Sequence, residues 1–143
     1  MSNWLLLHYK LPAQPSALRV FIWRKLKRLG AILANDVIWI LPDTSRTAEQ
    51  FQWLTAEIRE MDGEAYLWRS SPVLGEQEEN LVAQFTEQAE QAYSALLKKL
   101  DKKKPNLAIL SREYQQISSQ DYFHSALGQQ VREKLLALRG GKE

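Results

Sequence analysis

In the first 30 positions the apolar residues first form a continuous run and then recur at the spacing of a helix. Residues Trp4 to Tyr9 form a short aliphatic and aromatic run that ends before Pro12, which is typical of a buried strand. Ser16 stands where a helix N-cap is expected, and Gly30 stands where glycine commonly ends a helix. Between them, apolar residues recur at intervals of four, four and three positions, at Leu18, Ile22, Leu26 and Leu29. The pattern predicts a strand followed by a helix.

The next 40 residues repeat this order. The elements predicted are a strand over residues 31–34, a strand over 37–41, a helix over about 46–61 and a strand over 65–68. Asn35 and Asp36 form a two-residue turn signal, because both side chains tolerate positive φ. Leu11-Pro12 and Leu41-Pro42 lie 30 residues apart, which indicates an internal repeat. The order β-α-β-β-α-β predicts a ferredoxin-like, split βαβ sheet.

Both faces of that sheet carry apolar residues. Along the first strand Leu5 and Leu7 point to one face, while Leu6 and His8 point to the other. Two helices cover only one face of such a sheet. We therefore expect the C-terminal third or a second subunit to cover the other.

The C-terminal third has helical spacing throughout. Helices are predicted over residues 76–103, 107–117 and 127–138, with Pro105 as a break and residues 118–125 irregular. No low-complexity linker interrupts the chain. The prediction is one α+β domain over residues 1–143, with a ferredoxin-like core over 1–74 and additional C-terminal helices over 75–143.

The composition excludes several classes of site. Of the 143 residues 45% are hydrophobic, which is ordinary for a globular domain, and none is cysteine. His8 and His124 are the only histidines, so neither a metal site nor a nucleophile with its base is indicated. We expect no cofactor, no metal and no enzymatic activity. The first apolar run is too short for a signal or membrane segment, so we expect a cytoplasmic protein without a membrane partner.

The net charge of +2 conceals three blocks. Residues 1–35 carry +6 with no acid, residues 36–95 carry −9, and residues 96–143 carry +5. The first helix holds most of the first block, at Arg19, Arg24, Lys25, Lys27 and Arg28. Because no acid is interleaved for pairing, we predict that these five residues bind nucleic acid. Arg24, Lys25, Lys27 and Arg28 would bind phosphates, and Arg19 would position the helix or read a base. The alternative is a solvated polar face.

Five tryptophans stand one in each of five predicted elements, at Trp4, Trp23, Trp39, Trp53 and Trp68. Their even distribution follows the repeat and favours core packing. A stacking platform for single-stranded bases is the alternative. The lysines between Lys98 and Lys104 match the dipole of a helix C-terminus, although contact with nucleic acid is again an alternative.

Several short motifs carry a family resemblance. They are Trp4-Leu5-Leu6-Leu7, Leu11-Pro12, Pro15-Ser16-Ala17-Leu18-Arg19, Ile22-Trp23-Arg24, Leu26-Lys27, Leu29-Gly30-Ala31 and Leu41-Pro42-Asp43, and later residues 117–128. Together they resemble the N-terminal domain of the ChrB family, bacterial regulators associated with chromate resistance. The family's regulators continue into a second, C-terminal domain associated with sensing chromate, and the resemblance here covers the N-terminal domain.

The resemblance implies a transcriptional repressor whose N-terminal region contacts operator DNA, with Arg19 and Arg24 in the matching helix. We accordingly expect a DNA-binding regulatory module that forms a homodimer. A separately encoded sensor is a further candidate partner. Two alternatives stay open. One is a protein-interaction or dimerisation module without nucleic-acid binding, and the other is an oxyanion sensor centred on Arg19.

Overall fold

The computed structural model describes residues 3–140 of the chain. Over this range it has four strands and five helices: β1 (Trp4–Lys10), α1 (Ala17–Leu29), β2 (Ile32–Ala34), β3 (Ile38–Pro42), α2 (Ser45–Glu60), β4 (Glu64–Ser70), α3 (Gly75–Leu100), α4 (Leu107–Gln120) and α5 (Ala126–Gly140). The α+β class is confirmed. Among the described helices, none is both long and apolar enough to cross a membrane.

The four strands form one antiparallel sheet in the order β2-β3-β1-β4. In the register, Leu7 lies opposite Trp39 and Leu6 lies opposite Ile40. Residues directly opposite each other share a face, so the predicted alternation along β1 is confirmed. Strand β4 lies at one edge of the sheet and pairs with β1 along its whole length.

The hairpin and the end of α1 have the backbone conformations that their residues favour. Asn35 and Asp36 have φ of 50° and 61°, as a two-residue turn between twisted strands requires. Gly30 has φ of 79°, and its N–H donates to the carbonyl of Lys27. These residues end α1 and reverse the chain between β2 and β3 as predicted.

The helix starts differ from the prediction. Ser16 has a helical backbone conformation, and its side chain makes no capping hydrogen bond. The cap at α2 is stronger. The Thr47 N–H donates to the Thr44 hydroxyl at 3.1 Å, and the Thr44 N–H donates to the Thr47 hydroxyl at 2.9 Å. This capping box has Thr in place of the usual Glu or Gln, which is why the sequence pattern did not reveal it.

The core-packing interpretation of the tryptophans is wrong for three of the five. The exposed fractions are 2% for Trp4 and 4% for Trp39, but 49% for Trp23, 68% for Trp53 and 54% for Trp68. Trp23 directly follows the buried Ile22, and Trp53 directly precedes the buried Leu54. One position along a helix is a rotation of about 100°, which turns both rings away from the core.

By compactness the chain divides into two units, Met1–Glu78 and Glu79–Glu143, and the division falls inside α3. The core of the first unit includes Leu5 and Leu7 of β1, Ile22 of α1 and Phe51 of α2, all buried. The second unit has its own core where α3, α4 and α5 meet, formed by Ala89, Tyr93, Leu96, Leu100, Leu110, Val131 and Leu135.

A buried polar contact lies within the second unit. The Tyr93 hydroxyl donates to the Asp121 carboxyl group at 3.0 Å, and the N–H of Ser125 donates to the same group. Burial, together with this contact, raises the pKa of Tyr93. The segment over residues 118–125 is shorter than predicted, since α4 continues to Gln120. Asp121 thus joins the end of α4 to the middle of α3.

Gly128 leaves the space that the Tyr93 ring occupies. A Cβ at this position would lie 2.8 Å from the Tyr93 ring, whereas a Cβ at Gly75 would meet nothing within 4 Å. We expect Gly128→Ala to lower the free energy of unfolding by about 1–3 kcal/mol, because a buried ring must shift. Gly75→Ala is the matched control, and it should leave stability unchanged or raise it by up to about 1 kcal/mol. Urea unfolding followed by circular dichroism measures both. Equal stabilities for the two variants would contradict this packing.

Candidate nucleic-acid interface

Helix α1 presents one apolar and one basic surface. Ile22 and Leu26 are fully buried, and Leu18 and Leu29 are partly buried along the same stripe. The predicted apolar face is therefore confirmed. Because these residues fix the rotation of the helix, positions half a turn away from the stripe must face outward.

Four of the five basic residues predicted to bind nucleic acid are exposed, namely Arg19, Arg24, Lys27 and Arg28, and Lys25 is partly buried. Arg24 and Arg28 are four positions apart, and Arg24 and Lys27 are three apart, which places these side chains on neighbouring parts of the surface. The helix therefore gathers these cations within two turns.

Lys25 is not available as a free charge. Its ammonium group donates to both oxygens of Glu57 on α2, at 2.9 and 2.8 Å, and it also lies 4.6 Å from the centroid of the Phe21 ring. The sequence shows Glu57 among the acidic residues of α2, but 32 positions separate the partners. The ion pair forms because α1 and α2 lie side by side in the fold, which the sequence does not show.

The other cations of α1 differ from Lys25. No carboxylate within residues 3–140 lies at salt-bridge distance from Arg19, Arg24 or Lys27. Lys27 lies 5.8 Å from the centroid of the Trp23 ring, which orients its side chain along the helix surface. Arg28 has an interaction partner of its own. The positive charge of the helix is thus offset at Lys25 but not along the whole surface.

Apolar side chains are interleaved with these charges. Val20, Phe21 and Trp23 are each close to half exposed on α1. Phe21 and Val20 line a shallow depression of about 620 Å³ together with Ala17, Arg24, Lys25 and Arg28. The sequence pattern indicated a basic and polar surface here. The structure shows a mixed aromatic and basic surface, which suits contact with a macromolecule better than a purely solvated face does.

Arg19 also borders a cleft between α1 and the β2–β3 hairpin. The cleft has a volume of about 520 Å³ and is lined by Tyr9, Lys10, Leu11, Arg19, Val20, Trp23, Leu33, Asp36, Val37 and Trp39. Burial raises the pKa of Tyr9, while a hydrogen bond with the Trp39 side chain and the positive charge of Arg19 oppose that rise. The guanidinium group of Arg19 is therefore close enough to act electrostatically on the Tyr9 phenol.

Comparison with known proteins adds an independent line of observation. The model of the family described as "Protein ChrB, N-terminal" matches residues 19–117. A curated relative, "Protein ChrB" of Cupriavidus metallidurans, is 30% identical over 89 residues, which are 62% of this chain and 28% of that relative. The chain thus matches little more than a quarter of the relative's length. No solved structure matches the chain significantly. The family match includes the whole basic surface of α1.

The closeness of Arg19 to Tyr9 gives a titration test. Arg19→Gln removes a positive charge that favours the phenolate, so we expect the pKa of Tyr9 to rise further. Carbon-13 NMR of Cζ-labelled tyrosine over alkaline pH measures this value, with Tyr9→Phe to assign the signal. Arg24→Gln serves as the control, because Arg24 does not line the cleft. A Tyr9 titration curve that is unchanged by Arg19→Gln would contradict the described geometry.

Proposed function

The chain belongs to the ChrB N-terminal family, and on this premise we propose that it is the DNA-binding module of a transcriptional regulator linked to chromate resistance. The observation that carries the proposal is the group of exposed cations on α1. Arg19, Arg24 and Lys27 have no carboxylate partner among the described residues. A helix surface that keeps its positive charge attracts the phosphate backbone of DNA.

The residues divide into roles. Arg24, Lys27 and Arg28 contact phosphates, and Arg19 positions the helix or contacts a base edge, since arginine binds both phosphate and guanine well. Lys25 contributes less, because contact with a phosphate requires it to leave Glu57. Trp23 and Phe21 pack against sugar and aliphatic parts of the backbone.

The proposed architecture is a homodimer of modules with a ferredoxin-like sheet. The element order of the first unit and the strand order β2-β3-β1-β4 support the ferredoxin-like assignment. Two copies related by a two-fold axis would present two α1 helices to successive parts of a DNA duplex. The regulator would act in the cytoplasm, with effector sensing supplied by another domain or a separate sensor protein.

A second candidate function is protein interaction without nucleic-acid binding. The half-exposed Val20, Phe21 and Trp23 favour it, because exposed apolar residues beside arginine are typical of protein interfaces. In that case the same helix would bind an acidic partner surface. An anion sensor at the cleft is a third candidate, supported by the guanidinium group of Arg19 at its border.

A salt titration of DNA binding tests the proposal. Fluorescence anisotropy with a duplex carrying the cognate promoter region gives the slope of log affinity against log salt concentration. We expect the double variant Arg24→Gln/Lys27→Gln to flatten that slope by about two units, because two phosphate contacts are lost. Glu57→Gln should have the opposite effect, since it releases Lys25 for a further contact.

The matched control is Arg132→Gln/Arg139→Gln on α5, which removes the same charge from exposed positions elsewhere. It should leave the slope close to that of the unmodified protein. Equal slopes for both double variants would remove α1 from a DNA interface. Binding of a protein partner, lost on substitution of Phe21 or Trp23 and without any DNA affinity, would favour the second candidate.

A further inference from the structure

Three ring side chains lie together on the sheet face that carries Leu6. His8 on β1 is directly opposite Tyr66 on β4, and Trp68 is two positions further along β4. Residues two apart on a strand share a face, so all three rings are on the same side. This is the face opposite to that of Leu5 and Leu7. We call His8, Tyr66 and Trp68 the aromatic platform.

A hydrogen bond fixes the arrangement of the platform. The indole N–H of Trp68 donates to the Nε2 of His8 at 3.0 Å, and the two ring planes differ by only 4°. An indole N–H and an imidazole lone pair both lie in their ring planes. The two rings therefore lie side by side in nearly one plane, with centroids 6.4 Å apart. Tyr66 is nearly parallel to both rings, tilted by 19° and 20°, and it stacks on His8 with centroids 5.3 Å apart.

The platform is open to solvent. Tyr66 is 53% exposed and Trp68 is 54% exposed, and both stand on an edge strand. Large exposed aromatic rings on an edge strand promote aggregation with other protein molecules, and most proteins cover such rings or have polar residues in their place.

The polar groups around the platform indicate the kind of occupant. Lys10 follows His8 on the same face and is opposite Glu64, and both side chains are exposed. Within residues 3–140 neither has an ion-pair partner. A second copy of the chain docked on this face would have to desolvate both charges, which is costly. A planar ligand with a phosphate would leave Glu64 in water and give Lys10 a counter-charge.

We propose that the aromatic platform stacks an unpaired nucleobase of a single-stranded nucleic acid, with Lys10 contacting its phosphate. Every base has a flat π surface that can stack on parallel, exposed rings, and four-stranded sheets with exposed aromatic residues bind single strands in this way. The site is independent of the basic surface of α1. Its binding depends mainly on stacking and only weakly on charge.

The test is anisotropy with a fluorescein-labelled single-stranded oligonucleotide of about 12 nucleotides. The titration is carried out at roughly 0.5 M salt, where the Debye length of about 4 Å suppresses purely electrostatic binding. We expect the unmodified protein to bind under these conditions. Trp68→Thr and Tyr66→Thr, which keep strand propensity, should each weaken binding by about 5- to 100-fold.

Two control variants distinguish the aromatic platform from the rest of the protein surface. Trp53→Ala removes a still more exposed tryptophan on α2, and it should leave single-strand binding unchanged. Arg24→Gln/Lys27→Gln should also leave it unchanged at this salt concentration, even if it abolishes binding to a duplex. The test of single-strand binding therefore remains valid even if α1 does not bind duplex DNA. Circular dichroism confirms that each variant is folded.

Several outcomes would overturn the proposal. One is the absence of single-strand binding by the unmodified protein. Another is binding that Trp68→Thr and Tyr66→Thr do not alter. A dimer in sedimentation that Trp68→Thr dissociates, without any oligonucleotide affinity, would assign the platform to a second copy of the chain. A mononucleotide that competes fully at the same base concentration would assign it to free nucleotides.

Discussion

Two helices can cover only one face of a four-stranded sheet, and the functional surfaces of this protein depend on that constraint. The connections β1-α1-β2 and β3-α2-β4 each cross over an intervening strand, and right-handed crossovers place both helices on the same face. Leu5 and Leu7 are buried on that face. The outer side of α1 is consequently left to make other contacts. So is the part of the opposite face that carries Tyr66 and Trp68, whereas Trp4 and Ile40 on that face are buried.

The same packing decides which charges of α1 are available. Burial of Ile22 and Leu26 fixes the rotation of the helix, and this rotation sends Lys25 toward α2 and Glu57. Arg24 and Lys27 are directed elsewhere and find no carboxylate among the described residues. The pattern of the basic surface is therefore a consequence of core packing, and a one-residue shift of the stripe would change it.

Local features could be predicted from the sequence because local physics determines them. The turn at Asn35 and Asp36, the end of α1 at Gly30 and the buried stripe of α1 all follow from a few neighbouring residues. Contacts between distant positions could not be predicted in this way. The Lys25–Glu57 pair needs the placement of two helices, and the Trp68–His8 bond needs the register of β1 against β4.

The tryptophans show the limit most clearly. Composition and even spacing favoured core packing for all five, yet burial depends on what covers each position. Trp39 lies opposite Leu7 on the face that the two helices cover and is buried. Trp4 and Trp68 share the other face, but only Trp4 is buried, and Trp68 is exposed on the edge strand. The face alone therefore does not separate core rings from a platform that can bind a ligand. What covers each position decides this, and the sequence does not show it.

The most direct test of two separate binding surfaces is a map of amide chemical-shift changes on nitrogen-15 labelled protein. The protein is titrated first with duplex DNA and then, in a separate sample, with a single-stranded oligonucleotide. We expect the duplex to shift amides of residues 19–28 and the single strand to shift amides of β1 and β4 near residues 8 and 66–68. Overlapping sets of shifted amides, or shifts confined to α3, α4 and α5, would contradict the claim that the basic surface of α1 and the aromatic platform are two separate binding surfaces.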